Sequence, residues 1–266
     1  MLTSGRPVCL ITGASSGIGA DLAACAAADG FDLVLVARRV SALTNVARYC
    51  EQQHRVRVTV VPCDLADPTA ARVLAAELRG LQIHVHTLIN NAGVGATGAV
   101  AALSIESQLN IIQVNVTALT ELTRRLLPTM LDRGAGAVLN VASTAAYLPG
   151  PNMAVYYASK AYVLSFSEAL TEELRDTGIQ VTALCPGPTT TEFAAASGMS
   201  ASKLLTQRGI AMSSADVARA GWDGLLEGKR VVIPGLKNRL LVHSLRAVPR
   251  AIAARVSALL NASSES

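Results

Sequence analysis

The sequence predicts an α/β fold: a doubly wound, seven-stranded parallel sheet with helices on both faces. Three observations predict it. Short, almost continuously apolar runs rich in β-branched residues alternate with longer Ala/Leu-rich stretches of helical spacing. The first run ends in a glycine-rich turn that opens onto a helical stretch. No internal repeat and no Pro/Gly/Ser-rich linker interrupts the alternation, so residues 1–266 read as one domain.

The expected strands lie at residues 8–12, 33–37, 56–62, 87–90, 137–141, 180–185 and 231–234. Their continuous apolar character suits strands covered on both faces. Helical spacing is clearest over residues 20–29, 68–78, 114–130 and 156–175. Strands alternating with helices imply right-handed crossovers. Residues 186–214 are the least regular stretch, and 189–214 reads as a lid. From Lys237 to residue 260, Leu241, Leu245, Val248, Ile252, Val256 and Leu259 recur at spacings of three and four. Arg239, His243, Arg246 and Arg250 mark a second stripe. This predicts a basic amphipathic helix, bent at Pro249. It could cover a pocket, pack on another subunit or lie on an anionic membrane.

Composition narrows the function classes. Hydrophobic residues make up 51% and charged residues 16%, which excludes a disordered chain. The net charge of +4 comes without a dense Lys/Arg block, so nucleic acid is not an expected partner. Five scattered cysteines form no C-x-x-C pair and read as buried, reduced thiols; Cys9, Cys63 and Cys185 fall in strand-like runs. His84 and His86 form a lone H-x-H, expected in a loop, and no metal site is expected. Neither a signal peptide nor an apolar run of about 18 residues is visible, so a cytoplasmic location is the expectation.

The turn reads Thr12-Gly13-Ala14-Ser15-Ser16-Gly17-Ile18-Gly19. Glycines there let the backbone turn sharply and approach a ligand, and the following helix N-terminus offers free N–H groups to a pyrophosphate. Beyond it come Asn90-Asn91-Ala92-Gly93, Asn115, Ser143, Tyr156-x-x-x-Lys160 and Pro186-Gly187. In this order and spacing, the chain resembles the short-chain dehydrogenases/reductases from about Val8 to Thr191. The resemblance implies a Rossmann-type dinucleotide-binding catalytic domain and hydride transfer between a nicotinamide and a ketone or secondary alcohol. It implies cofactor contacts from Gly13, Ser15, Ser16, Gly17, Ile18 and Gly19. Asp64 and Leu65 would touch the adenine, and Asn90, Asn91, Ala92 and Gly93 the adenosine ribose side. Pro186, Gly187, Thr189 and Thr191 would lie beside the carboxamide. Asp64 has a second reading, as a turn or cap residue ahead of Pro68.

The second strand ends in Ala37-Arg38-Arg39, with no carboxylate to accept bonds from a ribose 2′-hydroxyl. A guanidinium suits a 2′-phosphate, so NADP(H) is the expected cofactor, with Arg38 as the main contact and Arg39 second.

Ketone reduction needs a proton as well as a hydride. Tyr156 is the candidate acid/base. Lys160 follows one helical turn later, and its ammonium, with the oxidised nicotinamide, is expected to lower the phenol's pKa. Tyr157 points elsewhere on the helix and lacks a lysine at i+4. The resemblance gives Ser143 the substrate oxygen, with Thr144 able to share that role. It gives Asn115 a water that links Lys160 to solvent, and Lys160 the nicotinamide ribose hydroxyls. Phe193, Met199, Leu204, Leu205 and Met212 make the lid apolar, which suggests a steroid-like or long-acyl carbonyl substrate. Family members of this length imply a homodimer or homotetramer. Two other functions stand beside the reductase: an NADP-binding sensor without turnover, and an epimerase or dehydratase of nucleotide sugars. The chain length and glycine spacing disfavour the last.

Overall fold

The computed structural model describes residues 5–198 and 211–261. Seven parallel strands form the main sheet. They are β1 (Val8–Thr12), β2 (Asp32–Ala37), β3 (Val58–Pro62), β4 (Val85–Asn90), β5 (Gly136–Val141), β6 (Ile179–Leu184) and β9 (Val231–Val232). Their order is β3-β2-β1-β4-β5-β6-β9. The chain therefore winds outward in both directions from a switch point between β1 and β4. β1 pairs with β2 in continuous register, Cys9, Leu10 and Ile11 facing Leu33, Val34 and Leu35, while its register with β4 shifts between Val8 and Cys9.

Period-two alternation sends successive side chains to two cores. Leu10, Val34, Val36 and Val138 join Leu74, Leu122, Leu126 and Leu170 on one face. These come from α3 (Ala70–Gly80), α5 (Leu119–Arg133) and α6 (Ala154–Glu173). Cys9, Ile11, Leu33, Leu35 and Leu139 join Leu22, Leu43, Cys50, Val217 and Trp222 on the other. These come from α1 (Gly17–Ala28), α2 (Val40–His54) and α8 (Ser214–Leu226). Trp222 is fully buried, and its indole N–H donates to Asp29 at 2.6 Å, which fastens α8 to the end of α1.

Several expectations need correction. The strand at 56–62 begins at Val58, the one at 180–185 runs from Ile179 to Leu184, and the last one stops at Val232. Cys63 and Cys185 therefore follow their strands, and Cys63 is only half-buried. His86 is not a loop residue: β4 starts two residues earlier than the apolar run, and the imidazole packs edge-on against Phe31. Burial and the nearby Arg133 lower its pKa. The helix expected at 114–130 is longer. It is α4 (Ile105–Ile112), a π-helical segment (Gln113–Ala118) and α5 in series, with Asn115 inside the π segment. Residues 186–214 are not wholly irregular. The strands β7 (Thr189–Thr190) and β8 (Met212–Ser213) pair in parallel, and α7 (Glu192–Ala196) lies between them. Met212 packs on the core instead of facing the cleft, while Met199, Leu204 and Leu205 lie outside the described residues.

The C-terminal stripe is also corrected. Two helices form, α9 (Leu236–Ala247) and α10 (Arg250–Asn261), separated by extended backbone at Val248 before Pro249. That break resets the helical phase. The buried positions are Asn238, Val242, Ala253 and Ser257, while Leu241, Ile252, Val256 and Leu259 are exposed.

Candidate active site

The loops at the carboxyl ends of β1, β2, β4, β5 and β6 meet at one edge of the sheet, where open α/β sheets bind ligands. Thr12 organises the first of them. Its hydroxyl donates to the Ile89 carbonyl and accepts from the N–H groups of Asn91 and Ala92, both at 3.0 Å. Asn91 Nδ2 returns bonds to the carbonyls of Thr12 and Gly13 at 2.9 and 3.1 Å. The β1 turn and the β4 loop are thereby sewn together. A Cβ on Gly19 would collide with the Gly13 carbonyl and Asn91, so only glycine fits there. Gly17 has φ +54°, and a Cβ on it would lie 3.0 Å from the methyl of Thr191. Of the three consecutive threonines, Thr191 thus rests on the turn. Thr189 instead donates to the Gly187 carbonyl at 2.9 Å, and Thr190 is exposed.

At the end of β2 the two arginines differ in their surroundings. Arg39 reaches the turn, donating to Ser15 at 3.2 Å and Ser16 at 2.9 Å. Arg38 is exposed and makes no side-chain hydrogen bond among the described residues. Arg39 also pairs with Glu192 at 2.6 Å, and Ser16 donates to the same carboxylate at 2.9 Å. Nothing in the sequence signals Glu192, because 153 residues separate it from its partner. Asp64 accepts from the Ala66 N–H at 3.1 Å, the turn role, and Leu65 is buried beside it. Asn90 faces away from the cleft, a correction: it donates to Thr123 and Asn140 in the core at 3.0 and 2.9 Å.

Tyr156 and Lys160 lie one turn apart on α6, both buried. Lys160 Nζ is 5.9 Å from the Tyr156 ring centre and donates to the Val141 carbonyl at 2.8 Å. Burial pushes the Tyr156 phenol up to about 12, against an opposing hydrogen bond with Ser143. Burial likewise lowers the Lys160 amine to about 8. In the protein by itself, desolvation is the largest influence on the phenol. Ser143 follows β5, accepts from the Ala145 N–H at 3.1 Å and donates to the Pro186 carbonyl at 3.4 Å. Thr144 uses its own N–H on that same carbonyl at 2.8 Å.

The Asn115 side chain is fully engaged. It bonds both backbone groups of Val94, at 2.9 and 3.0 Å, and Ser159 at 3.0 Å. Lys160 and Asn115 both come within about 3.5 Å of where a Gly93 Cβ would stand, which places the three together. Over this group lies α7. Its Phe193 ring sits 5.5 Å from that of Tyr156, and the Ser197 carbonyl accepts from Thr97 at 3.0 Å. Tyr157 packs edge-on to Tyr156 and against Gly150. A surface groove of about 860 Å³ lies elsewhere, along Val116, Thr120, Arg124 and Tyr162. None of the catalytic candidates lines it.

A dinucleotide fits what is present: a glycine-lined turn opening a helix, two serine hydroxyls and a guanidinium at that turn, and a buried phenol and amine beyond it. Among the described residues, no cluster of His, Cys, Asp and Glu could hold a metal ion.

The sequence profile of the short chain dehydrogenase family matches residues 7–201. A sulfoacetaldehyde reductase of Chromohalobacter salexigens is 38% identical over 213 residues, 78% of this chain and 83% of that protein. Among solved structures, a short-chain dehydrogenase from Sphingobium yanoikuyae in complex with NADPH superposes with a TM-score of 0.82. It is 34% identical and covers 91% of this chain and 92% of its own. A bulky-bulky ketone specific alcohol dehydrogenase from Comamonas testosteroni superposes with a TM-score of 0.77 at 29% identity, over 95% and 99% of the two chains.

Proposed function

Because the chain belongs to the short-chain dehydrogenase family, an oxidoreductase family, we propose that it is an NADPH-dependent reductase of apolar ketones with Tyr156 as its proton donor. One observation carries this reading. The Tyr156 phenol, the Ser143 hydroxyl and the Lys160 amine converge beside the glycine turn, and burial holds the phenol protonated at neutral pH.

A bound nicotinamide cofactor supplies the hydride. The rest is the work of this chain. Ser143 donates to the substrate oxygen and aligns it. Tyr156 gives up its proton to that oxygen as negative charge builds there. Lys160 stabilises the resulting phenolate, and its own lowered pKa makes it a ready proton source. Asn115 holds the β4 loop against α6, which keeps the path behind Lys160 in place. Phe193 excludes water from the Tyr156 ring and presents an apolar wall to the substrate. NADPH is favoured over NADH because Ala37-Arg38-Arg39 offers guanidinium groups and no carboxylate at the end of β2. We read the chain as one catalytic domain working as a homo-oligomer in the cytoplasm, where its thiols stay reduced.

A panel of ketones and secondary alcohols, followed by nicotinamide absorbance with both cofactors, tests the proposal. Apolar ketones should oxidise NADPH, with a preference over NADH of about tenfold or more. Tight NADPH binding with no turnover of any carbonyl would sink it.

A further inference from the structure

The two C-terminal helices carry a surface that the proposed chemistry does not use. Residues 228–264 contain seven Lys or Arg and no Asp or Glu. The whole chain is only +4, so its remainder is net acidic and the positive charge is concentrated here. On α9, the inward side is Asn238 and Val242, both buried. The outward side presents Leu236 and Leu240, one turn apart and 67% and 62% exposed, flanked by exposed Lys237 and Arg239. The pattern repeats on α10. Ala253 and Ser257 face in, while Ile252, Val256 and Leu259 are exposed beside Arg255. Lys237, Arg239, Arg250 and Arg255 form no ion pair among the described residues.

Single exposed leucines are ordinary; apolar ridges on two successive helices, rimmed by unpaired cations, are not. No helix among the described residues is long and apolar enough to cross a membrane. We propose that α9 and α10 dock on an anionic lipid surface, with the ridges in the interface and the basic side chains at the headgroups. Charge selects lipid over a second copy of the chain. A two-fold contact through this face would set one basic cluster against another.

The position gives the docking a consequence. Asn238 donates to the Pro234 carbonyl at 2.8 Å and fills the space a Gly187 side chain would take. α9 also packs on the turn Thr144–Tyr147 that follows Ser143. A lipid-seated α9 therefore brings the rim of the candidate active site to the bilayer, a source of lipid-soluble carbonyl compounds. The docking itself does not rest on the catalytic reading.

Flotation of the full chain tests it, with vesicles of phosphatidylcholine alone and of phosphatidylcholine with phosphatidylglycerol. Co-flotation is expected only with the anionic vesicles and should weaken as salt is raised. Replacing Leu240, Ile252 and Val256 together by Ser should reduce it by about tenfold or more, as should replacing Arg239, Arg250 and Arg255 together by Gln. The Arg-to-Gln variant leaves the packing intact and carries the test if the Ser variant folds poorly; retained NADPH binding reports folding. Equal flotation with neutral vesicles, or no flotation with either kind, overturns the proposal. So does a Ser variant that loses a dimer while wild type ignores lipid.

Discussion

Two ionisable clusters face the same cleft under opposite rules. Tyr156 and Lys160 are buried, and desolvation drives both toward their neutral forms, the phenol up to about 12 and the amine down to about 8. Arg39 and Glu192 are exposed, and there hydrogen bonds from Arg39 and Ser16 hold the carboxyl below its usual range, toward charge. The difference is one of dielectric surroundings more than of residue type. The buried pair is set up to move a proton, because neither group is firmly charged. The exposed pair is set up to exchange partners, because water and salt compete with every bond it makes.

The sharpest way to break this comparison is Tyr156→Phe. It keeps the ring against Phe193 and removes only the hydroxyl. Turnover should fall by about a thousandfold or more, while NADPH affinity, measured by fluorescence titration, stays unchanged. If both fell together, the hydroxyl would be a cofactor contact and the buried cluster would have no special claim on the proton.

The next largest effect concerns stability. Lys160 titrates near 8 in the folded protein against 10.5 for a free lysine. Below pH 8 both states carry the ammonium, and the folded state bears the whole burial cost, about 3 kcal/mol. Between pH 8 and 10.5 the unfolded chain binds a proton that the folded one does not, so this contribution to stability recovers as pH rises. Lys160→Met removes the buried charge but strands the Val141 carbonyl, at a cost of about 1 kcal/mol. The variant should lose turnover yet be more stable than wild type by about 2 kcal/mol at pH 7, with the gap closing toward pH 10. Chemical denaturation across that range reads it. The buried Cys9 thiol, whose pKa is raised by burial alone, acts in both proteins and cancels in the difference, whereas Cys185, also raised by burial but lowered by the Lys160 charge, is pushed further up in the variant.

How much of this was legible in the sequence follows the same division. Backbone constraints leave local marks. The glycine turn, the order of strands and helices and the i, i+4 spacing of Tyr156 and Lys160 could be read, because each is set by sterics, apolar patterning or helical geometry within a few residues, although the strand ends could not. What depended on distant partners could not. Arg38 and Arg39 are equivalent by composition, and only the position of Glu192, on the far side of the chain, shows which one is drawn to the turn. The phenol's pKa was expected from two charges, Lys160 and an oxidised nicotinamide, and the burial by Ile111, Met153 and Phe193 that raises it in the protein by itself left no local mark. In the C-terminal stripe the apolar pattern was legible but the division into two helices was not. A period of three and four is compatible with several phases, and the break at Val248 gives each half its own.

A third prediction sharpens the exposed side. Arg39→Ala should weaken NADPH about tenfold and leave NADH unchanged, whereas Arg38→Ala should do less. Equal losses for the two cofactors would make Arg39 a support of the turn and not a reader of the 2′-phosphate. The reverse ranking would restore the order expected from the sequence.

The smallest effect is expected at Glu192. Its carboxyl is fully exposed and paired, so its folded pKa lies below the ordinary value. The sign follows: whatever stability the pair adds is present at neutral pH and disappears as pH falls through the folded pKa. At an exposed site that amount is small. Glu192→Gln should therefore melt within error of wild type at pH 7. NADPH affinity should rise by less than about threefold, because Arg39 no longer leaves a carboxylate to meet an anion, and salt should erase even that gain. A drop of several degrees in melting temperature, persisting in high salt, would mean that Arg39 and Glu192 hold α7 in place as a buried pair would. The contrast between the two clusters would then reduce to a difference in depth alone.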